Sequence, residues 1–475
     1  MSLDEKLNGI LISVDGLIYS IFLELLKNGE LPNIQEHIYD RALVNVDRAI
    51  CCHPSATDEN KQAIITGMFP HDPGGVAFLR ETGAVYNRIG EHILDRGDCA
   101  KRPTIHHHLD GTTASIYSPW NSGVTYGHPF WDPKNGLKYL AGISKEKSNE
   151  VAVSRFKSLV EERQPKFTEV YFYAYDRFGH TIKSEEKLKN KYRLFDKYVG
   201  QIVQILKDNN LYENTLISFL SDHSMGVDLT ESVDFKDVCF NAGFKPEWYN
   251  QTTEADSVAL AYGFSVGQIY LKDGIGVDGI TDKLKDRING LLSQDSVEHA
   301  IIKLGDKRIV YSKNGNVAEI TKEDHMYKME ILKGSHLFGF KEDLCDALSE
   351  YHRATESLVW TNHYRQPDAV VKIAESMHHP DSPDIMVLAP KDFDYAKTRN
   401  PKDLRYVRNG NEIRTHGTLH DEHSQIPFVI AGPEIISRVN VKTARSIDWM
   451  PTFLELAGYG VPPGLDGRSL LQVER

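Results

Sequence analysis

Residues Thr215–Gly226 read Thr-Leu-Ile-Ser-Phe-Leu-Ser-Asp-His-Ser-Met-Gly, and the pattern in this segment organises the rest of the chain. Its apolar run Leu216–Leu220 is too short to span a membrane and has the β-rich composition of a buried parallel strand. The run leads into Asp222 and His223, a carboxylate beside an imidazole. Open α/β sheets keep their active sites at the carboxyl ends of their strands, so this dipeptide is a candidate site. Taken alone, it fits a polar turn after an ordinary strand equally well.

The pattern of an apolar run that leads into an aspartate occurs twice more. Glu169–Ala174 is followed by Asp176 and, four residues later, by His180. Gly9–Val14 is followed by Asp15. Carboxylates and imidazoles are ligands of divalent metals, and several strand ends that carry them together indicate a metal site. A site for two metal ions is our working hypothesis.

Strand and helix patterns alternate over the first half of the chain, which predicts a mostly parallel, doubly wound sheet. The clearest helix has apolar residues from Leu188 to Leu206 at spacings of four and three, which form one stripe. Further predicted elements are helices at Leu17–Asn28, Gln62–Gly67 and Lys145–Arg163, strands at Ala42–Ile50 and Thr112–Tyr117, and a polar loop over Cys51–Asn60.

The alternation breaks in residues 250–383, which we interpret as an inserted α+β cap. Residues 1–249 and 384–475 would then form one core. The predicted elements of the cap and the C-terminal part are strands within Ser257–Asp273, a helix at Ile280–Leu292, a hairpin around Asn314-Gly315, strands at Tyr327–Leu332, Asp384–Pro390 and Pro427–Gly432, and a helix at Pro451–Ala457.

Composition limits the partners and the location of the chain. A net charge of -12 over 475 residues argues against nucleic-acid binding through bulk charge. No apolar run is long enough to predict a membrane span. The start carries no signal peptide, so a cytoplasmic location is expected, with export as the alternative if Met1–Leu3 replaces a trimmed native start. The 5 cysteines lack CxxC spacing and indicate neither a disulfide framework nor a cysteine zinc site. Oligomeric state is unknown from sequence.

A nucleophile is available in the polar segment before the Gln62–Gly67 helix. Ser55 and Thr57 offer hydroxyls just ahead of a helix N-terminus, where free N–H groups and the dipole favour an anionic phosphate. A hydroxyl held against a metal has a lowered pKa and is set up for in-line attack. Either residue is equally an ordinary helix cap.

A further metal ligand is available before the last predicted strand. The loop Arg414–His420 contains His416 next to a glycine, and His420. Either imidazole would complete the set of strand-end ligands, and a solvated loop histidine is the alternative.

The motifs at the two ends of the chain stand in a specific order. They are Val14-Asp15-Gly16, Thr57-x-x-Asn60 with Ile65-Thr66-Gly67, Asp176-x-x-x-His180, Ser221-Asp222-His223, Thr415-His416-Gly417, Ile447–Gly458 and Leu465–Leu470. This order resembles the alkaline phosphatase superfamily, and within it the nucleotide pyrophosphatase/phosphodiesterase and phosphonoacetate hydrolase branch. The resemblance covers both ends of the chain and leaves out the insertion.

The resemblance implies a three-layer α/β/α sandwich of the alkaline phosphatase type with two divalent ions, zinc or else manganese or iron. It also implies hydrolysis of a small-molecule phosphodiester, such as a nucleotide derivative, through a phosphothreonine intermediate. The implied site is Asp176, His180 and His416 around one ion, and Asp15, Asp222 and His223 around the other, with Thr57 bound to the second ion as the nucleophile.

The substrate contacts depart from the family pattern. Asp58 and Glu59 replace an aromatic or small residue and a proline, and we expect Lys61 to offset their charge. Phe78 stands where the branch has an asparagine that donates to a phosphoryl oxygen. Asn121 and Tyr126 are candidates to substitute for that contact, with ordinary loop positions as the alternative, and Asn60 is a further candidate.

Several related activities stay open. Because Tyr117–Tyr126 contains no lysine or arginine, we favour a singly charged diester over a monoester. A phosphomonoesterase or a phosphonate hydrolase on the same site is the first alternative. A metal-binding protein that has lost catalysis is another, and so is a metal-dependent mutase, which would normally use a serine in place of Thr57.

Overall fold

The computed structural model describes residues 6–70, 75–87, 102–128, 145–247, 255–262, 264–276, 279–395, 412–433 and 438–472. Within these ranges the strands form two large sheets and two short pairs. The strands are β1 (Asn8–Val14), β2 (Ala42–Ile50), β3 (Val76–Leu79), β4 (Ala84–Asn87), β5 (Thr113–Ile116), β6 (Tyr126–His128), β7 (Phe167–Phe172), β8 (Thr215–Ser221), β9 (Glu231–Ser232), β10 (Pro246–Glu247), β11 (Ser257–Tyr262), β12 (Val266–Leu271), β13 (His299–Leu304), β14 (Lys307–Ser312), β15 (Val317–Glu323), β16 (Met326–Lys333), β17 (His352–Arg353), β18 (Ile385–Leu388), β19 (Phe393–Asp394), β20 (Gln425–Ile426), β21 (Phe428–Ala431) and β22 (Val439–Arg445).

The helices of the same ranges lie mostly between strands. None of them combines the length and the apolar character that a helix needs to cross a membrane. They are α1 (Tyr19–Lys27), α2 (Pro32–Ile34), α3 (Thr57–Thr66), α4 (Ile105–His108), α5 (Lys145–Arg163), α6 (Ala174–Thr181), α7 (Glu185–Asp208), α8 (Phe235–Asn241), α9 (Asp282–Leu292), α10 (Glu342–Leu348), α11 (Ala354–Thr361), α12 (Ala369–Ser376), α13 (Asp421–Ser424) and α14 (Trp449–Leu456).

The first sheet has the order β20-β2-β21-β8-β1-β7-β5-β6, with β22 beside β2. The pairs β8–β1, β1–β7, β7–β5, β5–β6 and β2–β22 are parallel. Strand β21 runs antiparallel between β2 and β8. The prediction of a mostly parallel sheet is therefore confirmed.

Helices cover both faces of this sheet. On β1, Ile10, Ile12 and Val14 point into a core shared with α1, α5 and α7. Leu11 points to the opposite side, into a core shared with α3 and α14. Burial on both faces explains why these strands are continuous apolar runs rather than alternating ones. The three-layer α/β/α sandwich is confirmed.

The second sheet has the order β10-β11-β12-β18-β13-β14-β15-β16-β17 and is antiparallel except for β10–β11. Its β14–β15 hairpin turns at the predicted Asn314-Gly315, where Gly315 has φ 82°. One face packs on α12 and the other on α8 and α9. The hydrophobic core on the α12 side also includes Ala56, directly before α3, and Ala63 within α3. The second sheet is therefore packed directly against the helix that begins at Thr57.

Three predicted elements differ from the structure. The strand expected to resume the first sheet at Asp384–Pro390 instead lies in the second sheet, as β18 between β12 and β13, because its apolar residues pair with both. The loop predicted over Cys51–Asn60 ends at Ala56, since Asp58 and Glu59 in the first turn of α3 complement the helix dipole. The predicted cap over residues 250–383 stays a proposal. If the cap is taken to be the second sheet, it extends through β18.

The third difference moves two site residues from a strand end to a helix. Strand β7 ends at Phe172, and Ala174 begins α6. Asp176 and His180 therefore lie one turn apart on α6, on the same face of the helix.

Candidate metal centre

The predicted site residues meet at the carboxyl ends of three neighbouring parallel strands. Val14, the last residue of β1, pairs with Phe172 of β7 and Ser221 of β8. Asp15 and Asp222 directly follow two of these strand ends. Because the strands are parallel and adjacent, their following residues are brought to one edge of the sheet.

The first group of candidate ligands consists of Asp176, His180 and His416. The Oδ1 atom of Asp176 lies 3.1 Å from Nε2 of His180 and 3.4 Å from Nε2 of His416. His416 lies on the loop Arg414–His420 and belongs to this group, whereas His420 does not. The His420 imidazole instead contacts Glu298, with Nε2 and Oε2 2.8 Å apart.

The second group consists of Asp15, Asp176 and His223, so Asp176 belongs to both groups. Nε2 of His223 lies 3.4 Å from Oδ1 of Asp15. The sharing of Asp176 was not predicted. Asp176 would therefore be available to either of two ions.

Asp222 lies beside the second group rather than within it. Its Oδ1 is 4.0 Å from Nε2 of His223 and accepts hydrogen bonds from the backbone N–H groups of Gly16 and His223. Its Oδ2 accepts from the hydroxyl of Tyr171 at 3.4 Å. Its role as a ligand stays a prediction, and its observed contacts organise the ends of β1 and β8.

The three histidines present the same ring nitrogen to the site. In each one, Nδ1 lies within hydrogen-bond distance of a backbone carbonyl, and because a carbonyl only accepts, Nδ1 carries the proton. In the neutral imidazole, Nε2 is then left with a lone pair, as in metal-binding histidines. The carbonyl partners are Arg414 at 2.6 Å from His180, Ser55 at 2.7 Å from His416 and Ser224 at 3.0 Å from His223.

Buried polar atoms without partners indicate that the residues fit a metal. Nε2 of His180, Nε2 of His416 and Oδ1 of Asp176 are buried and make no hydrogen bond. Leaving buried polar atoms unpaired is costly, and native structures rarely do so without an ion, a water or a functional reason. Three such atoms converge here, and a divalent cation satisfies all three at once.

The electrostatics of the site lead to the same conclusion. Burial and the charges of Asp222 and Asp176 raise the pKa of Asp15 well above its usual range. Burial lowers the pKa of His223, but Asp222 and Asp15 outweigh it and raise that pKa to about 10. Burial raises the pKa of Asp176, but His180 and His416 outweigh it and hold that pKa well below its usual range. The shared carboxylate therefore stays charged although it is partly buried, which suits a ligand of a divalent cation.

Thr57 is the hydroxyl that faces the ligands. Its Oγ1 donates to Oδ1 of Asp15 at 3.1 Å and lies 3.3 Å from Nε2 of His223. It is also the first residue of α3, next to the free N–H groups of the helix N-terminus. The other candidate, Ser55, is buried and donates to the carbonyl of Thr418 at 2.9 Å, so it fixes a loop.

Asn60 has a place that differs from its predicted substrate contact. Its side chain is fully buried. Nδ2 donates to the carbonyls of Pro54 and Ala56, both at 2.9 Å, and Oδ1 accepts from the N–H of Cys52 at 2.7 Å. Because both amide donors are used, Asn60 holds the loop that positions Thr57 and does not face a substrate.

The other three predicted substrate contacts lie outside the two ligand groups. The Phe78 ring packs edge-on against Tyr270 of the second sheet, with centroids 5.6 Å apart. Asn121 is exposed. Tyr126 is on the edge strand β6, where Arg163 lies 5.6 Å from its ring centroid. A substrate role for these three stays a prediction.

One expectation about nearby charge needs correction, and one basic side chain was not predicted. Lys61 does not offset Asp58 and Glu59, because its ammonium is buried on the other side, in an ion pair with Glu169. Although the Tyr117–Tyr126 loop contains no basic residue, Arg155 of α5 lies over the Tyr117 ring, 4.9 Å from its centroid. Helix α5 thus places a basic side chain beside the loop, and the preference for a diester stays a prediction.

One side chain beside the histidines was not predicted at all. Phe264, at the turn between β11 and β12, stacks on His180 with ring centroids 4.6 Å apart. The sequence gives no signal for it, since an aromatic residue between two strand-like runs is typical of any hairpin.

The family model for type I phosphodiesterases and nucleotide pyrophosphatases matches residues 9–419. The chain belongs to this family. Two curated relatives are a Caenorhabditis elegans ectonucleotide pyrophosphatase/phosphodiesterase, 22% identical over 290 residues, and human bis(5'-adenosyl)-triphosphatase ENPP4, 25% identical over 238 residues. The matches cover 59% and 47% of this chain, but only 31% and 48% of those two proteins.

A solved structure of a related protein confirms the fold. Murine ectonucleotide pyrophosphatase/phosphodiesterase 5 superposes with a TM-score of 0.57 at 13% identity, over 96% of both chains. The coverage includes the second sheet, so both large sheets belong to the shared architecture.

Proposed function

We propose that this protein is a metal-dependent hydrolase of phosphodiesters that uses Thr57 as its nucleophile. The observation that carries the proposal is the position of the Thr57 hydroxyl, 3.1 Å from Asp15 and 3.3 Å from His223. These two residues share Asp176 with the neighbouring His180–His416 pair. A nucleophile at the edge of two ligand groups is the arrangement that phosphoryl transfer needs.

Each ligand group would hold one divalent ion, and zinc is our first choice because the donors are carboxylate and imidazole. Asp176, His180 and His416 would hold the first ion. Asp15, His223 and either Asp176 or Asp222 would hold the second. When bound, the ions lower the pKa of a nearby hydroxyl and neutralise the charge that develops on phosphate oxygens.

The protein residues define the proposed reaction. Oγ1 of Thr57 attacks phosphorus while its hydroxyl proton passes to Oδ1 of Asp15 and from there to solvent. The bond from phosphorus to the leaving oxygen breaks, that oxygen takes a proton from solvent to leave as the alcohol, and a phosphothreonine forms. Water then cleaves the new phosphorus–oxygen bond and regenerates the threonine. The hydroxyl hydrogen of Thr57 points to Oδ1 of Asp15, so its lone pairs are free to face the substrate. The free N–H groups at the start of α3 stabilise the anionic phosphate.

Family membership supports a nucleotide-type diester or pyrophosphate as substrate. The human relative is named for hydrolysis of a bis-adenosyl triphosphate, which contains pyrophosphate bonds. A phosphomonoesterase is the second candidate, and Arg155 is the observation that favours it. Its guanidinium Nη1 is buried without a hydrogen-bond partner, beside Tyr117 at the same end of the sheet, where it is suited to a second anionic oxygen.

Hydrolysis of bis-p-nitrophenyl phosphate and of p-nitrophenyl phosphate, each with added zinc, tests the proposal. We expect turnover of the diester to exceed that of the monoester. Thr57→Ala should abolish it, Thr57→Ser should retain part of it, and Ser55→Ala should serve as the matched control for a lost hydroxyl. A preference for the monoester that falls in Arg155→Met would favour the second candidate. Full diester turnover by Thr57→Ala would refute the proposed nucleophile.

A further inference from the structure

The turn between β11 and β12 connects the second sheet to the metal centre. Ser265 in this turn donates its N–H to the carbonyl of His416 at 3.3 Å. Its hydroxyl lies 3.1 Å from the hydroxyl of Thr415 and donates to the carbonyl of Phe393 at 2.8 Å. The turn is thus fastened to the loop that carries His416.

The Phe264 ring contacts the imidazole rings of two candidate metal ligands. It is nearly parallel to the His180 ring, at an angle of 6° and a centroid distance of 4.6 Å. It also contacts the His416 ring at a centroid distance of 3.7 Å. The His416 ring also stacks on His223, with centroids 4.0 Å apart. One phenyl ring therefore extends the row of imidazoles from which both ligand groups are built.

The backbone of Phe264 is held in an unfavourable conformation. Its φ of 84° lies in the left-handed region, which bulky side chains avoid. Its carbonyl accepts a hydrogen bond from the N–H of Tyr395 at 2.7 Å, and this bond helps to fix the turn. Strained backbone persists where the surroundings enforce it, and it is concentrated at functional sites. A hairpin with no role beyond connecting two strands has no need for a phenyl ring here.

We propose that Phe264 is a positioning residue for the metal held by Asp176, His180 and His416. The ring fixes the planes of two imidazoles so that both Nε2 atoms face the same point, and it excludes water from one side of the ion. Residues that orient metal ligands contribute to metal affinity even though they do not touch the metal. This inference rests on the proposed metal centre. It adds that the β11–β12 turn of the second sheet is needed for full metal affinity.

Zinc titration with a competing chelator, on the full chain, tests the inference without measuring turnover. We expect the wild-type protein to bind two zinc ions, and Phe264→Ala to weaken one of them about 10- to 100-fold, the range for residues that orient ligands. Phe264→Tyr keeps the ring and should restore the affinity. Phe240→Ala is the matched control, because Phe240 lies on α8, which packs against the second sheet, and its side chain is 67% exposed.

A second variant separates positioning from simple packing. Phe264→Gly removes the ring and also the backbone strain, so it should unfold at a higher temperature than Phe264→Ala. If Phe264 positions the ligands, the two variants lose the same affinity for one zinc ion despite this difference in stability. If zinc affinity instead follows the unfolding temperature, Phe264 only packs, and the inference is wrong.

The remaining outcomes also decide between the two proposals. Wild-type affinity for both ions in Phe264→Ala would overturn the role of Phe264 and leave the proposed function intact. A wild-type protein that binds no zinc, manganese or iron would overturn the proposed metal centre itself, whatever the variants do.

Discussion

The two sheets of this protein bury charge in different places. The first sheet and its helices bury charged and titratable groups close to the site, among them Asp222, His223 and the Lys61–Glu169 pair. The second sheet buries charge where α12 packs on it, at Arg308, Lys372 and Glu375, whereas its outer strands also carry ion pairs at the surface, such as Lys307–Glu319 and Lys328–Glu330. Parallel strands bring successive chain segments to one edge, where buried polar groups collect. The antiparallel sheet contributes an aromatic ring and one turn to the same site.

In the first sheet and its helices (the first region), stability and function are therefore coupled more closely than in the outer strands of the second sheet (the second region). Buried charges are costly unless each finds a partner, so a substitution there disturbs several neighbours at once. A substitution in the second region should act locally. Substitutions in the first region should therefore have larger effects than substitutions in the second.

The largest effect is expected for the buried ion pair behind the site. Lys61 and Glu169 have fully buried side chains, and Nζ of Lys61 also donates to Ser13 at 2.8 Å. Lys61→Met leaves the Glu169 carboxylate buried and unpaired, which should lower the free energy of unfolding by about 3–5 kcal/mol. Urea unfolding measures it. Lys61→Met with Glu169→Leu should recover most of the loss, and a single variant as stable as wild type would contradict the prediction.

Gly16 should be the most sensitive glycine of the site. It has φ +60°, and a Cβ there would lie 2.8 Å from Cα of Asp176. Gly16→Ala should push the shared ligand out of position and lower kcat/KM for the diester by about 100-fold, the cost of misplacing a reacting group by about 1 Å. Steady-state kinetics and zinc content check this. Unchanged values for both would show that Asp176 tolerates displacement.

Gly315 offers the matched glycine in the second region. It has φ +82°, and a Cβ would meet nothing within 4 Å. Gly315→Ala should therefore cost only the left-handed conformation, about 1–2 kcal/mol in unfolding free energy, with zinc binding and kcat/KM unchanged. A loss of zinc in this variant would mean that the hairpin communicates with the metal centre.

The smallest effect is expected for Lys303 on β13, and it depends on pH. Burial, with Arg308 and Arg80 nearby, lowers the pKa of Lys303 from 10.5 to about 8. Between these values the unfolded chain binds more protons than the folded one, so this group makes stability rise with pH from about 8 to 10.5. Lys303→Met should flatten that rise by about 1 kcal/mol, since half-burial screens the effect. Urea unfolding at several pH values measures it, and parallel curves for wild type and variant would contradict it.

Much of the first region was predictable because its signals are local. The apolar runs that become β1 and β8 are continuous and buried on both faces, and the stripe from Leu188 to Leu206 defines α7. The motifs predicted which residues meet at the strand ends, including His416. Thr57 also lies beside the predicted ligands Asp15 and His223. These two ligands are close together because β1 and β8 are neighbouring parallel strands.

Features that depend on tertiary packing were not predictable. An apolar run such as Ile385–Leu388 does not say which of two sheets it joins. Asn60 looks like a substrate ligand until its amide is seen to be used by the backbone. The stacking of Phe264 depends on a contact between segments more than 80 residues apart on either side. Location and oligomeric state have no such geometric signal, and the cytoplasmic location stays a prediction.

The position of β2 in the first sheet has a consequence for the synthesis of the chain. Within the described residues, β2 pairs only with β20, β21 and β22, all of which follow residue 424. On the ribosome, the segment that leads into Thr57 therefore emerges hundreds of residues before any of its strand partners. Thr57, the proposed nucleophile, would therefore become fixed late, after β1 and β8 with Asp15 and Asp222 have been able to pair.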